Sequence, residues 1–202
     1  MKETLVVFFK SPDYGKVKTR LAASIGNDKA VQVYLHLLNY TVDICKEWKS
    51  IHRNRNVVFY GTGDKSFWKR LPYLKKQQHG RDLGLKMEQA IREELNFADK
   101  VVIIGTDCFD LKASNLVDAF DALNDNDSVF GPSEDGGFYL YGTKNLPINA
   151  FTSLSWSQSN TLEMTQRRIE GFHHKVNELI TLRDIDTIED LNIYPTLRLY
   201  AN

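Results

Sequence analysis

The stretch LVVFFKSPDYGKVKTRL, residues 5–21, joins two signals. Leu5–Phe9 is an unbroken apolar run of strand length, the pattern of a strand buried on both faces. It opens into a loop, Lys10 to Arg20, that carries Lys10, Lys16, Lys18 and Arg20, with Gly15 to let backbone approach a ligand closely. Four cations beside a turn repel one another unless an anion sits among them. Phosphate suits the place, because Arg grips its oxygens in pairs and Lys acts as a point charge. A solvated basic loop is the alternative. The loop matches neither G-x-x-x-x-G-K-[ST] nor G-x-G-x-x-G, so neither of those phosphate cradles applies.

Outward from that stretch, strand and helix signals alternate. A helix is expected over 27–48, with Val31, Tyr34, Leu35, Leu38, Val42 and Cys45 as its apolar stripe. Asn56–Tyr60 reads as a strand closed by Gly61, and residues 64–80 as a short helix plus a connection of no definite type. Further helices are expected over 83–97, 113–123, 157–170 and 187–194. Strands are expected over 100–104, 128–130, 137–141 and 175–180. Such alternation predicts an α/β fold, a mainly parallel sheet flanked by helices, with its site beyond the carboxyl ends of the strands.

The 202 residues suit one domain. Net charge is zero, but residues 1–100 hold 19 Lys/Arg against 11 Asp/Glu, whereas residues 101–202 hold 7 against 15. A site drawing cations from one half and carboxylates from the other would divide labour as a phosphate with a divalent metal requires. Without an overall basic excess, nucleic acid is not an expected partner. No run of about 18 apolar residues occurs, so no membrane span is expected. Leu5–Phe9 is too short for a signal-peptide core, so a cytoplasmic location is expected. Cys45 and Cys108 show no zinc spacing and are not expected to pair.

Three later segments carry candidate chemistry. In GTDCFDL, residues 105–111, Asp107 stands just past a strand end, where it could ligate Mg²⁺ or Mn²⁺ or form a turn. Asp110 is expected to cap the following helix, and Cys108 to pack rather than react. In GPSEDGGFYL, residues 131–140, Asp135 or Glu134 could hold or deprotonate an acceptor hydroxyl; locally, Asp-Gly is a turn signal. In RDIDTIEDL, residues 183–191, Thr187 and Asp190 fit a capping box. Asp184 and Asp186 lie on one side of an extended segment with Ile185 opposite, for metal binding or helix-dipole compensation. Asp82 is expected to cap a helix, and Trp156 to line a sugar or base pocket or to pack in the core.

Together these segments resemble the DUF2064 family of bacterial glycosyltransferase-like proteins. The family's FAKxPxxGxVKTRL is met by FFKSPDYGKVKTRL, its GxDLGxxM by GRDLGLKM, its GTDCPxL by GTDCFDL and its GPxxDGGYYL by GPSEDGGFYL. Trp156-Ser157 and the DxDTxxDL pattern at Asp184–Leu191 complete the order. Phe109 and Phe138 replace a Pro and a Tyr.

The resemblance implies a single-domain GT-A (nucleotide-diphospho-sugar transferase) fold over residues 1–202, with nucleotide bound by about residues 1–110 and acceptor by the rest. It implies nucleotide contacts from Lys10, Gly15, Lys18, Arg20 and Asp107, divalent metal (Mg²⁺ or Mn²⁺) on Asp107 and Asp186, and Asp135 on the acceptor side. The activity it implies is metal-dependent glycosyl transfer from a sugar nucleotide to a small-molecule acceptor. The VKTRL and DIDT segments also resemble guanylyltransferases, which join an NTP to a phosphorylated small molecule. A nucleotide-binding module without turnover is the third reading.

Overall fold

The computed structural model describes residues 1–152, 154, 156 and 158–200. Seven strands form one mixed sheet: β1 Glu3–Lys10, β2 Arg55–Thr62, β3 Leu74–Gln77, β4 Lys100–Ile104, β5 Ser128–Pro132, β6 Phe138–Thr143 and β7 Val176–Glu178. Their order across the sheet is β3-β2-β1-β4-β6-β5-β7. All neighbours run parallel except β6, which is antiparallel to both β4 and β5. The helices are α1 Thr19–Ile25, α2 Asn27–Ile51, α3 Lys65–Trp68, α4 Leu83–Leu95, α5 Ala113–Asp125, α6 Thr161–Glu170, α7 Ile188–Asn192 and α8 Pro195–Arg198.

The apolar strands alternate between two cores, as a period of two dictates. Leu5, Val7, Val57, Phe59, Val102 and Ile104 face α2 and α5. Val6, Val58, Tyr60, Val101 and Ile103 face α4. A third cluster joins Leu21 of α1, Val33 and Leu37 of α2, and Leu191 and Leu197 of α7 and α8 around Ile185. That cluster explains a departure from the expected α2 stripe. Val31 and Leu35 are only half-buried, while Val33, Leu37 and Ile44 are buried, because the helix packs on the sheet and on the C-terminal segment at once.

Other corrections concern boundaries. β2 runs on through Gly61, whose missing side chain leaves room for the Phe9 and Trp68 rings. The unassigned connection contains β3, a polar edge strand, LKKQ, with no apolar alternation to announce it. α6 begins at Thr161, later than expected, and Ser157 lies outside the described residues. Asp82 caps α4 as expected, accepting from Leu85 N at 2.9 Å. Asp110 does not cap α5: Asn115 Oδ1 accepts from Lys112 N at that helix end, and Asp110 instead accepts from the Tyr194 hydroxyl. Among the described residues no helix is long and apolar enough to cross a membrane.

Candidate functional site

Strand order reverses between β1 and β4, and a crevice opens beyond their carboxyl ends, where this class of sheet binds ligands. It is a cleft of about 730 Å³. The loop after β1, residues 105–108 after β4, the turn between β5 and β6, and the segment before α7 all reach it.

The C-terminal segment is stitched to two of these loops by backbone pairing. Cys108 bridges Asp184, and Ile185 N donates to Asp107 O at 2.9 Å. Ser133 bridges Leu182, and Glu134 N donates to Leu182 O at 3.1 Å. Burial of Ile185 in the third cluster leaves Asp184 and Asp186 lining the cleft, as the alternation of an extended segment predicts. Thr187 and Asp190 form the expected capping box at α7.

Lys18 is the centre of the site. Its side chain is 3% exposed, and its ammonium lies 2.5 Å from Asp107 Oδ1, 3.1 Å from Asp186 Oδ1 and 2.6 Å from the Ile185 carbonyl oxygen. Burial alone would push this amine down, but Asp107 and Asp186 outweigh it and hold its pKa above the ordinary lysine value. The residue adopts left-handed backbone, φ 47°, which costs a non-glycine residue roughly 1 kcal/mol. Three charged or polar contacts on one nitrogen offset that strain.

The other cations stand differently. Arg20 is 65% exposed and 3.9 Å from Asp186 Oδ2. Lys16, more exposed still, sits 3.5 Å from Asp13. Lys10 is exposed at the cleft edge, and its backbone is fixed by Tyr34, whose hydroxyl accepts from Lys10 N and donates to Lys10 O. Gly15 does not line the cleft; its φ of +70° belongs to the turn in which Lys16 N donates to Asp13 O.

From the β5–β6 turn, Asp135 lines the cleft, with Oδ1 accepting from Ser133 Oγ at 2.6 Å and Gly137 N at 3.0 Å. Glu134 is outside it, paired with Arg183. Asp184 is a neighbour the expectations left undecided. Burial, followed by the adjacent Asp107 charge, pushes its carboxyl up to about 7. Cys108 is buried, and burial pushes its thiol up to about 12, so packing is its role.

The opposite wall is apolar: Phe8, Leu83, Met87, Phe138 and Trp156, with Gln78 at its end. Trp156 meets Phe138 and Phe151 edge-on, each with 6.2 Å between ring centroids. Phe8, Leu83, Met87 and Gln78 were missed as site residues because each reads from sequence as an ordinary strand, helix or connection residue. Only their place around the cleft beyond the strand termini marks them. Gly105 also lines the cleft: a side chain built there would meet nothing within 4 Å, so it borders open space.

The cradle around Lys18 tests whether the residues fit a metal. Two carboxylates and a carbonyl converge on one cation, an all-oxygen set of the kind hard divalent ions take. The donor chemistry fits Mg²⁺ or Mn²⁺, although among the described residues no group of three His, Cys, Asp or Glu side chains stands ready-made for a metal.

Comparison with solved structures places this fold among the nucleotide-diphospho-sugar transferases. A protein of Desulfovibrio desulfuricans G20, described as a candidate nucleotide-diphospho-sugar transferase, is 28% identical with a TM-score of 0.88, over 97% of this chain and 88% of its own. More distant similarities are of fold alone. CMP:2-keto-3-deoxy-manno-octonic acid synthetase complexed with CTP is 9% identical, TM-score 0.64, over 98% and 99% of the two chains. Rv0371c of Mycobacterium tuberculosis H37Rv, in complex with manganese, is 14% identical, TM-score 0.54, over 96% and 97%. No curated protein matches the chain. Residues 47–158, more than half of the chain, match the model of a family described as uncharacterized proteins conserved in bacteria, and the chain therefore belongs to DUF2064.

Proposed function

We propose that this protein is a metal-assisted transferase that takes a glycosyl group from a sugar nucleotide to a small-molecule acceptor. The observation carrying the proposal is the convergence of Asp107 and Asp186 on one cation, in a cleft whose rim holds Lys10, Lys16 and Arg20. Residues 1–110 supply the nucleotide side and residues 111–202 the acceptor side. Phe8, Leu83 and Met87 offer an apolar face on which a base or sugar ring can pack, while Lys10 and Arg20 meet phosphate oxygens. Asp107 and Asp186 hold the metal, which when bound supplies neutralisation of charge on the leaving diphosphate. Asp135, fixed by Ser133 and Gly137, orients the acceptor hydroxyl or takes its proton. Gly105, without a side chain in the way, leaves the diphosphate room beside Asp107.

One observation favours a second reading, transfer of a nucleotidyl group from an NTP to a phosphorylated acceptor. Asp135 Oδ1 already accepts two hydrogen bonds within its own turn, and an acceptor that is already ionised needs no base. Product analysis separates the two. Free nucleoside diphosphate released from a sugar nucleotide supports glycosyl transfer, and pyrophosphate released from an NTP supports nucleotidyl transfer. Binding without either product, across both panels, identifies a non-catalytic module.

A further inference from the structure

The Lys18 ammonium has three protons and three acceptors: Asp107 Oδ1, Asp186 Oδ1 and the Ile185 carbonyl. No proton is left for a phosphate. Arg20, exposed and only 3.9 Å from Asp186, has its donors largely open to the cleft. The two cations of the KTR segment are therefore not equivalent, although both were expected to meet phosphate. Lys18 stands on the same two carboxylates that would hold the proposed metal. An ammonium and a divalent ion cannot both sit within about 3 Å of one oxygen pair without strong mutual repulsion.

Resting on the metal-assisted reading above, we propose that Lys18 is a displaceable internal counter-ion. With no metal bound it ties together Asp107 and Asp186, the latter 168 residues along the chain from the lysine. For Asp107 and Asp186 to hold a divalent ion between them, the ammonium would have to leave its place there. Once expelled, the ammonium has lost its acceptors and stands beside Lys10, Lys16 and Arg20, so it is stabilised by an anion in the cleft. Metal alone is therefore held weakly, and metal with a diphosphate is held well. The lysine makes the site selective for the pair over the free ion.

The test is Mn²⁺ binding to the full-length protein, read from the electron paramagnetic resonance signal of free Mn²⁺. Lys18→Met keeps the length of the side chain and removes its charge. The variant should bind Mn²⁺ at least about tenfold more tightly than the unmodified protein. Adding Asp107→Asn should abolish that gain. Lys18→Gly removes the same ammonium and also relieves the left-handed backbone, so it guards against a folding defect in the Met variant. A second readout uses the unmodified protein. Acetylation of amines followed by mass spectrometry should find Lys18 protected without Mn²⁺ and labelled at saturating Mn²⁺.

Equal or weaker Mn²⁺ affinity in the Lys18 variants, or protection unaltered by saturating Mn²⁺, overturns the counter-ion proposal and leaves the metal site standing. Mn²⁺ binding that is absent throughout, or that survives Asp107→Asn, overturns the metal reading and the proposal with it.

Discussion

At the scale of single residues, the decisive contrast lies within one triplet. Lys18 is buried against two carboxylates, Thr19 opens α1, and Arg20 is exposed at the cleft rim. Two cations only two residues apart thus have opposite surroundings, one 3% exposed and the other 65% exposed. That Lys10, Lys18, Arg20, Asp107, Asp135 and Asp186 belong to one cleft was legible, because each follows a strand end or precedes a helix. That Lys18 would be spent on Asp107 and Asp186 was not, since such distant pairings, 168 positions in the case of Asp186, leave no local trace. The same applies to Asp110, whose partner Tyr194 is 84 residues away. Cys108 gives a residue-level prediction. With its thiol buried and pushed up to about 12, it should stay unlabelled by a disulfide reagent at pH 8 in the native state and react on unfolding. Rapid native labelling of Cys108 would show a reactive thiolate and reopen its role.

At the scale of elements, the C-terminal segment holds loops in place as well as packing on α1 and α2. It pairs with the loop after β4 at Cys108 and with the β5–β6 turn at Ser133. That turn in turn meets the chain entering α6: Leu162 N donates to Gly136 O at 2.9 Å. Gly136 has φ +84°, and a side chain there would come within 1.8 Å of the Ser159 carbonyl oxygen. Gly136→Ala should therefore destabilise by more than about 1 kcal/mol, because the strain of a positive φ and a backbone clash add. Urea unfolding checks this, and a variant as stable as the parent would show that the turn does not clamp α6. The long periodic helices and apolar strands were readable from sequence. β3 was not, because a polar edge strand gains its identity from β2 beside it rather than from its own pattern. The second buried side of α2 was hidden likewise, since the residues that cover it come from α7 and α8.

At the scale of the whole molecule, the uneven charge of the two halves resolves into geometry. The basic first half sends Lys10, Lys16, Lys18 and Arg20 to the cleft, and the acidic second half sends Asp107, Asp135, Asp184 and Asp186. A fold of this topology gathers them because every contributing loop leaves the same edge of the sheet. The central claim is that this gathering serves a metal and a nucleotide diphosphate together. The most direct measurement is a thermal-shift titration with UDP, GDP, CDP and ADP, each with and without Mn²⁺, on the parent protein and on Asp107→Ala, Asp186→Ala and Asp135→Asn. At a ligand concentration 100 times its Kd, stabilisation reaches about 2.7 kcal/mol, enough to read as a clear rise in melting temperature. The account predicts that at least one nucleotide raises the midpoint further when Mn²⁺ is present, that this increment vanishes in Asp107→Ala and Asp186→Ala, and that it persists in Asp135→Asn. No shift with any nucleotide, or a Mn²⁺-dependent increment that survives both alanine replacements, would contradict it.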